Sequence, residues 1–331
     1  MTPPADVRTA LRVLWRAAPP EPRPTPADLP PGCELVVEPD ETRALERRDA
    51  IDVLIDGRPG PLLDGASLTR VIVPWAGLPA GLRQALLERP HLKAHNAHYN
   101  APFVAQHALA LLLAAANRLL PIDAALRRGD WGDRDRPERS RQLAGGEALL
   151  LGYGAIGRRL APMLQGLGMR VTALRRKPMD DEGGVRVIGL EELAEALGRT
   201  DALLVSLPAT PVTTGLIGRK ALAQLKSGAV IVNVGRGAVI DEAALFDALR
   251  GGHVAAAGLD VWWRYPESAA AQGATLPATH PFWTLPNVVL SPHRADASDA
   301  SERARVADVC ATLRAIAEGR ERSRLDVEAG Y

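Results

Sequence analysis

Three glycines at fixed spacing follow a short apolar run near the middle of the chain. The segment EALLLGYGAIGRRLA contains Gly152, Gly154 and Gly157, with Ala155 and Ile156 between the last two. Between a strand and a helix, the first glycine permits a tight turn, the second lets a pyrophosphate approach the backbone, and the third lets helix and strand pack closely. The N-terminus of the helix adds unpaired N–H groups and partial positive charge. This pattern predicts a dinucleotide-binding site.

Three cations lie where the next strand is expected to end. Arg175, Arg176 and Lys177 follow the apolar run VTAL. An NAD-binding unit usually carries Asp or Glu at this point, against the ribose 2′-hydroxyl, whereas guanidinium groups can bind a 2′-phosphate. Two charge-assisted hydrogen bonds would favour NADPH over NADH by roughly tenfold to a thousandfold. The sequence therefore favours NADPH, and a solvated turn with incidental charge is the alternative.

The elements that must position these residues alternate between short apolar runs and helical patterns. LRVLW, CELVVEP, IDVLIDG, TRVIVPW and LKAHNA are typical of strands in the first hundred residues, and a second set begins at EALLLG. Such alternation predicts an α/β fold with at least partly parallel strand order. One long helix is predicted from Pro102 to Arg128, and because it is apolar on most faces we expect it to be buried between two bodies or at a subunit interface.

Composition excludes several classes of function. Lys and Arg (40) nearly balance Asp and Glu (39), so no overall field attracts nucleic acid or an anionic membrane. The apolar run ALALLLAAA is too short to span a bilayer. Cys33 and Cys310 suggest neither a disulfide framework nor a metal site, and the spacing of His91, His95 and His98 on a strand end and loop does not suggest one either. We expect a soluble, cytoplasmic protein without a metal.

Three later stretches, LKSGAVIVNVGRGAVIDEAAL, AAGLDVWWRYPES and HPFWTLPNVVLSPHRAD, together with GYGAIG, resemble the D-isomer-specific 2-hydroxyacid dehydrogenase family. The resemblance covers about residues 96–297, and over residues 1–90 it is limited to topology and the short match PWAG. It implies two flavodoxin- or Rossmann-like parallel-sheet domains with a cleft between them. Residues 1–99 plus 298–331 would form the substrate-binding (catalytic) domain, and residues 100–297 the dinucleotide-binding domain with its linking helix. Most members are homodimers, so a homodimer is expected.

The same resemblance assigns roles to individual residues. Arg236, in NVGRG, matches the substrate arginine, whose planar fork can hold a carboxylate and polarise the carbonyl being reduced. His293, in SPH, matches the acid/base that delivers a proton to the developing alkoxide. Ala76 and Gly77 match the loop whose backbone N–H groups meet the substrate carboxylate, and Trp75 is expected to form a wall of the pocket. The cofactor path is implied at Leu207, Pro208, Thr213, Val234, Gly235, Arg236, Asp260 and His293.

The glycines beside Arg236 and the carboxylate of Asp260 are both expected to lie next to the nicotinamide. The glycines on either side of Arg236 are expected to leave room for the nicotinamide. Asp260 is expected to approach the nicotinamide amide, and its alternative is a carboxylate in a local hydrogen-bond network at a strand end.

The pattern is broken beside the acid/base. The family usually has a glutamate five residues after the aspartate of the L-D-V segment, hydrogen-bonded to the histidine, and here that position is Tyr265. Three alternatives follow: Tyr265 orients His293 as a neutral group, Glu267 reaches it instead, or the site is catalytically weak. A carboxylate beside the histidine would raise its pKa. Without that carboxylate, keto-acid reduction is predicted to decline at a lower pH than in a relative that has the glutamate.

Together, these residues and the resemblance predict an oxidoreductase that transfers hydride between NADP(H) and a small 2-hydroxy or 2-keto acid, similar to glyoxylate or hydroxypyruvate. The alternative is an NADP(H)-binding sensor or interaction protein with weak or no turnover, motivated by Tyr265. Formate-type oxidation is disfavoured because it needs no proton shuttle. The acid itself and the physiological direction stay open.

Overall fold

The computed structural model describes residues 10–16, 23–136, 140–176 and 180–331. Contacts between Cα atoms divide the chain into two compact units. The first unit comprises Met1–Asn100 together with Ser298–Tyr331, and the second unit comprises Ala101–Ala297. Along the chain, the second unit is therefore inserted into the first.

The described residues form strands and helices in regular alternation. In chain order the strands are β1 (Leu11–Trp15), β2 (Cys33–Val37), β3 (Val53–Ile55), β4 (Arg70–Val73), β5 (Lys93–Asn96), β6 (Glu147–Leu151), β7 (Arg170–Leu174), β8 (Val185–Ile188), β9 (Ala202–Val205), β10 (Ala229–Asn233), β11 (Val254–Leu259) and β12 (Val288–Leu290). The helices are α1 (Glu41–Leu45), α2 (Ala80–Leu87), α3 (Ala101–Ala116), α4 (Leu119–Leu126), α5 (Gly157–Gly166), α6 (Leu193–Arg199), α7 (Arg219–Gln224), α8 (Glu242–Arg250) and α9 (Ser301–Ala317).

The sheet of the first unit is parallel throughout, in the order β2-β1-β3-β4-β5. Consecutive residues Val13, Leu14 and Trp15 are all buried, as expected for a parallel strand covered on both faces. The strand order reverses between β1 and β3, which is the flavodoxin-like arrangement. In such sheets ligands bind outside the carboxyl ends of the strands at the reversal.

The sheet of the second unit is also parallel, in the order β12-β11-β10-β9-β6-β7-β8. Along β6, Leu149 and Leu151 pack into the core on one face, whereas Ala148 and Leu150 pack into the core on the other. The order reverses between β6 and β9, which places the glycine turn after β6 at the reversal. The predicted α/β fold with two parallel sheets is confirmed.

The helix predicted from Pro102 to Arg128 is wrong in one respect, because it is two helices. α3 and α4 are joined at Arg118, whose φ of 55° is left-handed, and their axes differ by 65°. Pro121 explains the break: it lacks an N–H and its ring would clash with the carbonyl of Asn117, one turn earlier. Among the described residues no single helix has the length and apolar character to cross a membrane, and α3 with α4 passes that test only as this bent pair.

Two short elements were not predicted from the sequence. β8 is a four-residue edge strand that follows Gly183 and Gly184, both with positive φ. α1 is five residues long, and its N-terminus is capped by the Asp40 side chain, which accepts a hydrogen bond from the Arg43 backbone N–H at 3.0 Å. Both elements are too short for a periodic pattern to develop.

Candidate active site

The glycine turn joins β6 to α5, and its three glycines meet different surroundings. A Cβ on Gly152 would lie 2.9 Å from Ser206 Oγ, and the φ of Gly152 is +106°. A Cβ on Gly157 would lie 2.2 Å from the carbonyl oxygen of Gly152, so the helix can approach the strand only without it. A Cβ on Gly154 would meet nothing within 4 Å. Packing of the chain therefore requires the outer two glycines, whereas the middle one faces open space.

The predicted cations follow the strand next to this turn. Leu174 at the end of β7 pairs with Leu151, and its carbonyl oxygen accepts a hydrogen bond from the Gly152 N–H at 3.2 Å. The side chains of the next two residues, Arg175 and Arg176, are exposed. Lys177 lies outside the described residues. The two described arginines therefore lie at the same sheet edge as the glycine turn.

The loop after β9 closes on itself through a threonine. The Thr213 hydroxyl donates to the Pro208 carbonyl oxygen at 2.6 Å and accepts from the Thr210 N–H at 2.8 Å. Leu207, which begins this loop, contributes the backbone against which Gly235 packs, since a Cβ there would lie 2.5 Å from the Leu207 carbonyl oxygen. Thr213 therefore acts as a support of this loop.

Arg236 follows β10 in a tightly packed segment. A Cβ on Gly237 would lie 2.4 Å from the Trp262 carbonyl oxygen, and Gly235 is similarly confined. Close approach of the chain's own backbone therefore requires both glycines, and the expected room for a nicotinamide stays a prediction. The Asn233 side chain fixes the segment, accepting from the Gly235 N–H and donating to the Arg236 carbonyl oxygen, each at 3.0 Å. Val234, buried between them, donates its N–H to the Val205 carbonyl oxygen.

The guanidinium group of Arg236 is only partly buried. It donates to the Gly235 carbonyl oxygen at 2.7 Å. Within the part of the chain that the structure describes, no carboxylate forms an ion pair with it. A positive charge without a carboxylate partner at a strand end suits a small anionic ligand.

Asp260, which follows β11, supports the loop that carries His293. It is 1% exposed, and its carboxylate accepts from the Arg294 N–H at 2.9 Å, from the Ala295 N–H at 3.1 Å and from the Ser291 hydroxyl. These bonds form the local hydrogen-bond network at a strand end that was the alternative, and the approach of Asp260 to a nicotinamide amide stays a prediction. The carboxylate has this role because two backbone N–H groups directly after His293 point at it.

His293 has a left-handed backbone, with φ of +54°. Such a conformation is uncommon for a residue with a side chain, and it persists only where the surroundings enforce it. Partial burial of the ring lowers the pKa of His293, the positive charge of Arg236 lowers it further, and the carboxylates of Asp260 and Asp296 oppose this. The imidazole is therefore neutral over more of the pH range than an ordinary histidine.

Tyr265 contacts His293 through its ring. The two ring centroids are 5.5 Å apart with planes inclined at 56°. The Tyr265 hydroxyl accepts a hydrogen bond from the Trp262 N–H at 3.1 Å, and burial raises the pKa of this phenol. Glu267 is exposed, and in the described parts of the chain neither a hydrogen bond nor an ion pair joins it to His293. Of the two candidates for the position beside His293, Tyr265 is the one in contact.

The loop of Trp75, Ala76 and Gly77 follows β4 in the first unit. The Trp75 indole covers Gly57, where a Cβ would lie 1.9 Å from the indole Cζ2. The Asn96 side chain donates to the Ala76 carbonyl oxygen at 2.7 Å, which holds the loop against the end of β5. These three residues lie at the carboxyl edge of the first sheet.

Trp262, His107 and Ser291 form hydrogen bonds next to the His293 loop, and none of them was among the site residues predicted from the sequence. The Trp262 indole N–H donates to the Ser291 carbonyl oxygen at 2.8 Å, and His107 Nε2 lies 2.9 Å from Ser291 Oγ. Ser291 stands two residues before His293, and this adjacency was the available signal. His107 is distant in sequence and no local pattern marks it. In the described residues no three His, Cys, Asp or Glu side chains are grouped to hold a metal ion.

Comparison with known proteins places this architecture in a family. Residues 109–295, more than half of the chain, match the family model for "D-isomer specific 2-hydroxyacid dehydrogenase, NAD binding domain". D-3-phosphoglycerate dehydrogenase of Mycobacterium tuberculosis is 38% identical over 224 residues, covering 66% of this chain and 39% of that protein. The match thus spans well under half the length of that relative. Glyoxylate reductase of Aeropyrum pernix is 37% identical over 225 residues, covering 65% of this chain and 63% of that protein.

A solved structure agrees over nearly the whole chain. The D-isomer specific 2-hydroxyacid dehydrogenase from Xanthobacter autotrophicus Py2, in complex with NADPH and MES, is 26% identical with a TM-score of 0.75. The superposition covers 97% of this chain and 100% of that one. The chain belongs to the D-isomer specific 2-hydroxyacid dehydrogenase family.

Proposed function

We propose that this chain is an NADPH-dependent reductase of a small 2-keto acid, with glyoxylate- and hydroxypyruvate-like acids as the first substrates to consider. One observation carries the proposal. Arg236 and His293 lie after β10 and β12, on both sides of β11, and the charge of Arg236 lowers the pKa of His293. An anion-binding group and a proton donor are thus brought together at the edge that carries the glycine turn.

The residues divide the reaction between them. The bound nicotinamide would supply a hydride to C2 of the keto acid. The planar guanidinium of Arg236 holds the substrate carboxylate and polarises the carbonyl, because two parallel N–H groups match those oxygens. His293 in its protonated form gives its proton to the oxygen that becomes the hydroxyl. In the reverse direction the neutral ring accepts that proton.

The other site residues would bind the two ligands. We assign the diphosphate to the turn of Gly152, Gly154, Ala155, Ile156 and Gly157, and the rest of the cofactor to Leu207, Pro208, Thr213, Val234 and Gly235. Ala76 and Gly77 would meet the substrate carboxylate with their backbone N–H groups, and Trp75 would form a wall of the pocket. The proposed domains are residues 1–99 with 298–331 as the substrate-binding (catalytic) domain and residues 100–297 as the dinucleotide-binding domain, within one residue of the two compact units.

The preference for NADPH is assigned to Arg175 and Arg176, with Lys177 beside them in sequence. Their support is position: Arg175 directly follows the residue whose carbonyl oxygen accepts from Gly152. The related enzyme from Xanthobacter autotrophicus Py2 was solved with NADPH. Arg175→Asp should move the cofactor preference toward NADH by roughly tenfold to a thousandfold. Arg170→Ser is the matched control, because Arg170 is an exposed arginine at the opposite end of the same strand.

The test is the initial rate of NADPH and of NADH oxidation with a panel of 2-keto acids that includes glyoxylate and hydroxypyruvate. We expect turnover with a clear NADPH preference, which Arg175→Asp reverses and Arg170→Ser leaves intact. Equal rates with both cofactors would overturn the assignment of Arg175. Absence of turnover with every acid would overturn the reductase.

A second candidate function is an NADPH-binding sensor with little turnover. The observation that favours it is Tyr265, which contacts His293 with its ring and occupies the position where most of the family has a glutamate. Tight NADPH binding without turnover would select this function. Either form would act in the cytoplasm as a homodimer, and the exposed Leu119, Leu120 and Leu126 of α4 are candidates for the contact.

A further inference from the structure

A chain of three hydrogen-bonded side chains lies directly behind the His293 loop. His107 Nε2 on α3 is 2.9 Å from Ser291 Oγ and 3.5 Å from Asp260 Oδ1. Ser291 Oγ in turn contacts Asp260 Oδ1. Ser291 and Asp260 are both more than nine-tenths buried, so solvent competes little for these bonds.

The direction of each bond follows from the available protons. A carboxylate has no proton to give, so the Ser291 hydroxyl donates to Asp260. That hydroxyl has only one proton, and His107 Nε2 must therefore donate to Ser291 Oγ. The network fixes His107 in the tautomer, or protonation state, that carries a proton on Nε2.

The far end of this chain holds the backbone on one side of His293. Asp260 Oδ1 accepts from the Arg294 N–H and Oδ2 from the Ala295 N–H, so the two residues after His293 are tied to one carboxylate. On the other side of His293, the Ser291 N–H donates to the Leu259 carbonyl oxygen at 2.8 Å. The left-handed φ of His293 lies between these two attachments.

We propose that His107 and Ser291 are positioning residues that act through Asp260 to hold His293 in its left-handed conformation. Neither residue contacts the reacting atoms. His107 lies on α3, 184 positions from Ser291 in sequence, and its N–H orients the Ser291 hydroxyl toward the carboxylate. The kinetic consequence rests on the proposed reductase function, whereas the effect on the loop does not.

The kinetic test compares His107→Leu, Ser291→Ala and His107→Gln. We expect kcat for keto-acid reduction to fall about tenfold in the first two, a part of the roughly 10²–10⁴-fold that general acid–base catalysis contributes. KM for the cofactor should stay unchanged, because the glycine turn between β6 and α5 contains neither of the substituted residues. His107→Gln should restore kcat, since its amide can donate to Ser291 Oγ in place of the ring.

The matched control is His253→Leu. His253 Nε2 lies 3.1 Å from the Leu222 carbonyl oxygen, so this change also removes one histidine hydrogen bond from the second unit. His253 precedes β11, whereas Asp260 follows the same strand at its other end. A loss of kcat in His107→Leu that His253→Leu reproduces would overturn the positioning role.

Hydrogen exchange at the Arg294 and Ala295 amides provides a readout that needs no turnover. Exchange at both amides should accelerate in His107→Leu and in Ser291→Ala and stay slow in His253→Leu. Only the first two substitutions remove a hydrogen bond that holds the Asp260 carboxylate, the acceptor of both amides. Unchanged exchange in all three variants would overturn the inference. If the wild type shows no turnover, the proposed reductase fails and this exchange experiment alone decides the positioning role. Ser291→Ala, which removes a single oxygen, keeps the test available if His107→Leu does not fold.

Discussion

The carboxyl edges of the two parallel sheets both carry a glycine in the loop that follows a strand, and these two glycines have opposite surroundings. In the first unit Gly57 follows β3 and is covered by the Trp75 indole, 1.9 Å from where a Cβ would stand. In the second unit Gly154 faces open space. Both edges lie where this fold class binds ligands. The topology therefore provides the location, and the side chains around each glycine decide whether a phosphate can approach the backbone there.

The charged groups at the two edges differ in the same way. In the first unit Asp56 accepts from the Gly57 N–H at 2.7 Å and from Arg16 Nε at 3.4 Å, and both side chains are buried. These charges compensate each other within the protein. In the second unit Arg236 instead influences the titration of His293 and Tyr265. At the first edge the two buried charges pair with each other, whereas no carboxylate of the described residues forms an ion pair with Arg236.

The largest expected effect comes from removing that cation. Arg236→Ala should reduce turnover about 10³-fold or more, because both the carboxylate contact and the polarisation of the carbonyl are lost. Cofactor affinity, measured by the quenching of protein fluorescence, should stay unchanged. Arg236→Lys keeps the charge without the planar fork and should recover only a small part of the rate.

The control for this change is Arg219→Ala, which removes an exposed arginine paired with Asp247 at 2.9 Å in the same unit. It should leave turnover unchanged. Near-normal turnover in Arg236→Ala would contradict the contrast between the two sheet edges, because it would mean that the reaction does not use the positive charge of Arg236.

The sequence was sufficient for the fold class and for the glycine turn because each has a local signature. Apolar runs of four to six residues alternating with helical patterns define a parallel sheet, and G-x-G-x-x-G defines the turn. The prediction of a single helix over 102–128 was wrong because it rested on the continuous apolar character of the segment. Pro121, which interrupts the helix, was not taken into account. The four-residue β8 gave no readable pattern.

The site was less accessible to sequence analysis, since its geometry depends on bonds between distant residues. The contact of His107 with Ser291 joins α3 to the end of β12, and no spacing rule links two such positions. The role of Asp260 likewise depends on where the Arg294 and Ala295 N–H groups point, which the backbone conformation of His293 determines. The motif identifies which residues are present, and the fold determines which bonds they form.

Exchanging each glycine for alanine would test the comparison directly. Gly154→Ala should change the free energy of unfolding by less than about 0.5 kcal/mol, because its Cβ meets no protein atom. It should weaken NADPH binding about tenfold or more, since the methyl group occupies the space of a phosphate contact. Gly57→Ala should do the reverse, with a loss of about 1–3 kcal/mol of stability as the Trp75 indole is displaced and no loss of NADPH affinity. Urea unfolding and NADPH titration of both variants measure the four quantities, and equal effects at the two positions would refute the contrast.

The smallest expected effect concerns the pH dependence of the reaction, which follows from the protonation of His293. Partial burial and Arg236 lower the pKa of His293, so its proton-donating form disappears as pH rises through a value below 6.5, the usual pKa of histidine. Keto-acid reduction should therefore be fastest at acidic pH and decline before neutrality, while the oxidation of a 2-hydroxy acid, which needs the neutral ring, should persist there. The measurement is kcat/KM against pH in both directions.

Two variants at Tyr265 show which part of this side chain matters. Tyr265→Glu restores a carboxylate beside His293 and should move the limb of the profile upward by roughly one pH unit or more, because an opposite charge stabilises the imidazolium. Tyr265→Phe should leave the limb in place, because the hydroxyl that it removes accepts from the Trp262 N–H and the ring contact with His293 is kept. A wild-type limb well above pH 7 would contradict the role of Tyr265 as a neutral neighbour of His293. A shift in Tyr265→Phe as large as that in Tyr265→Glu would mean that the hydroxyl, and not the ring contact, determines the protonation of His293.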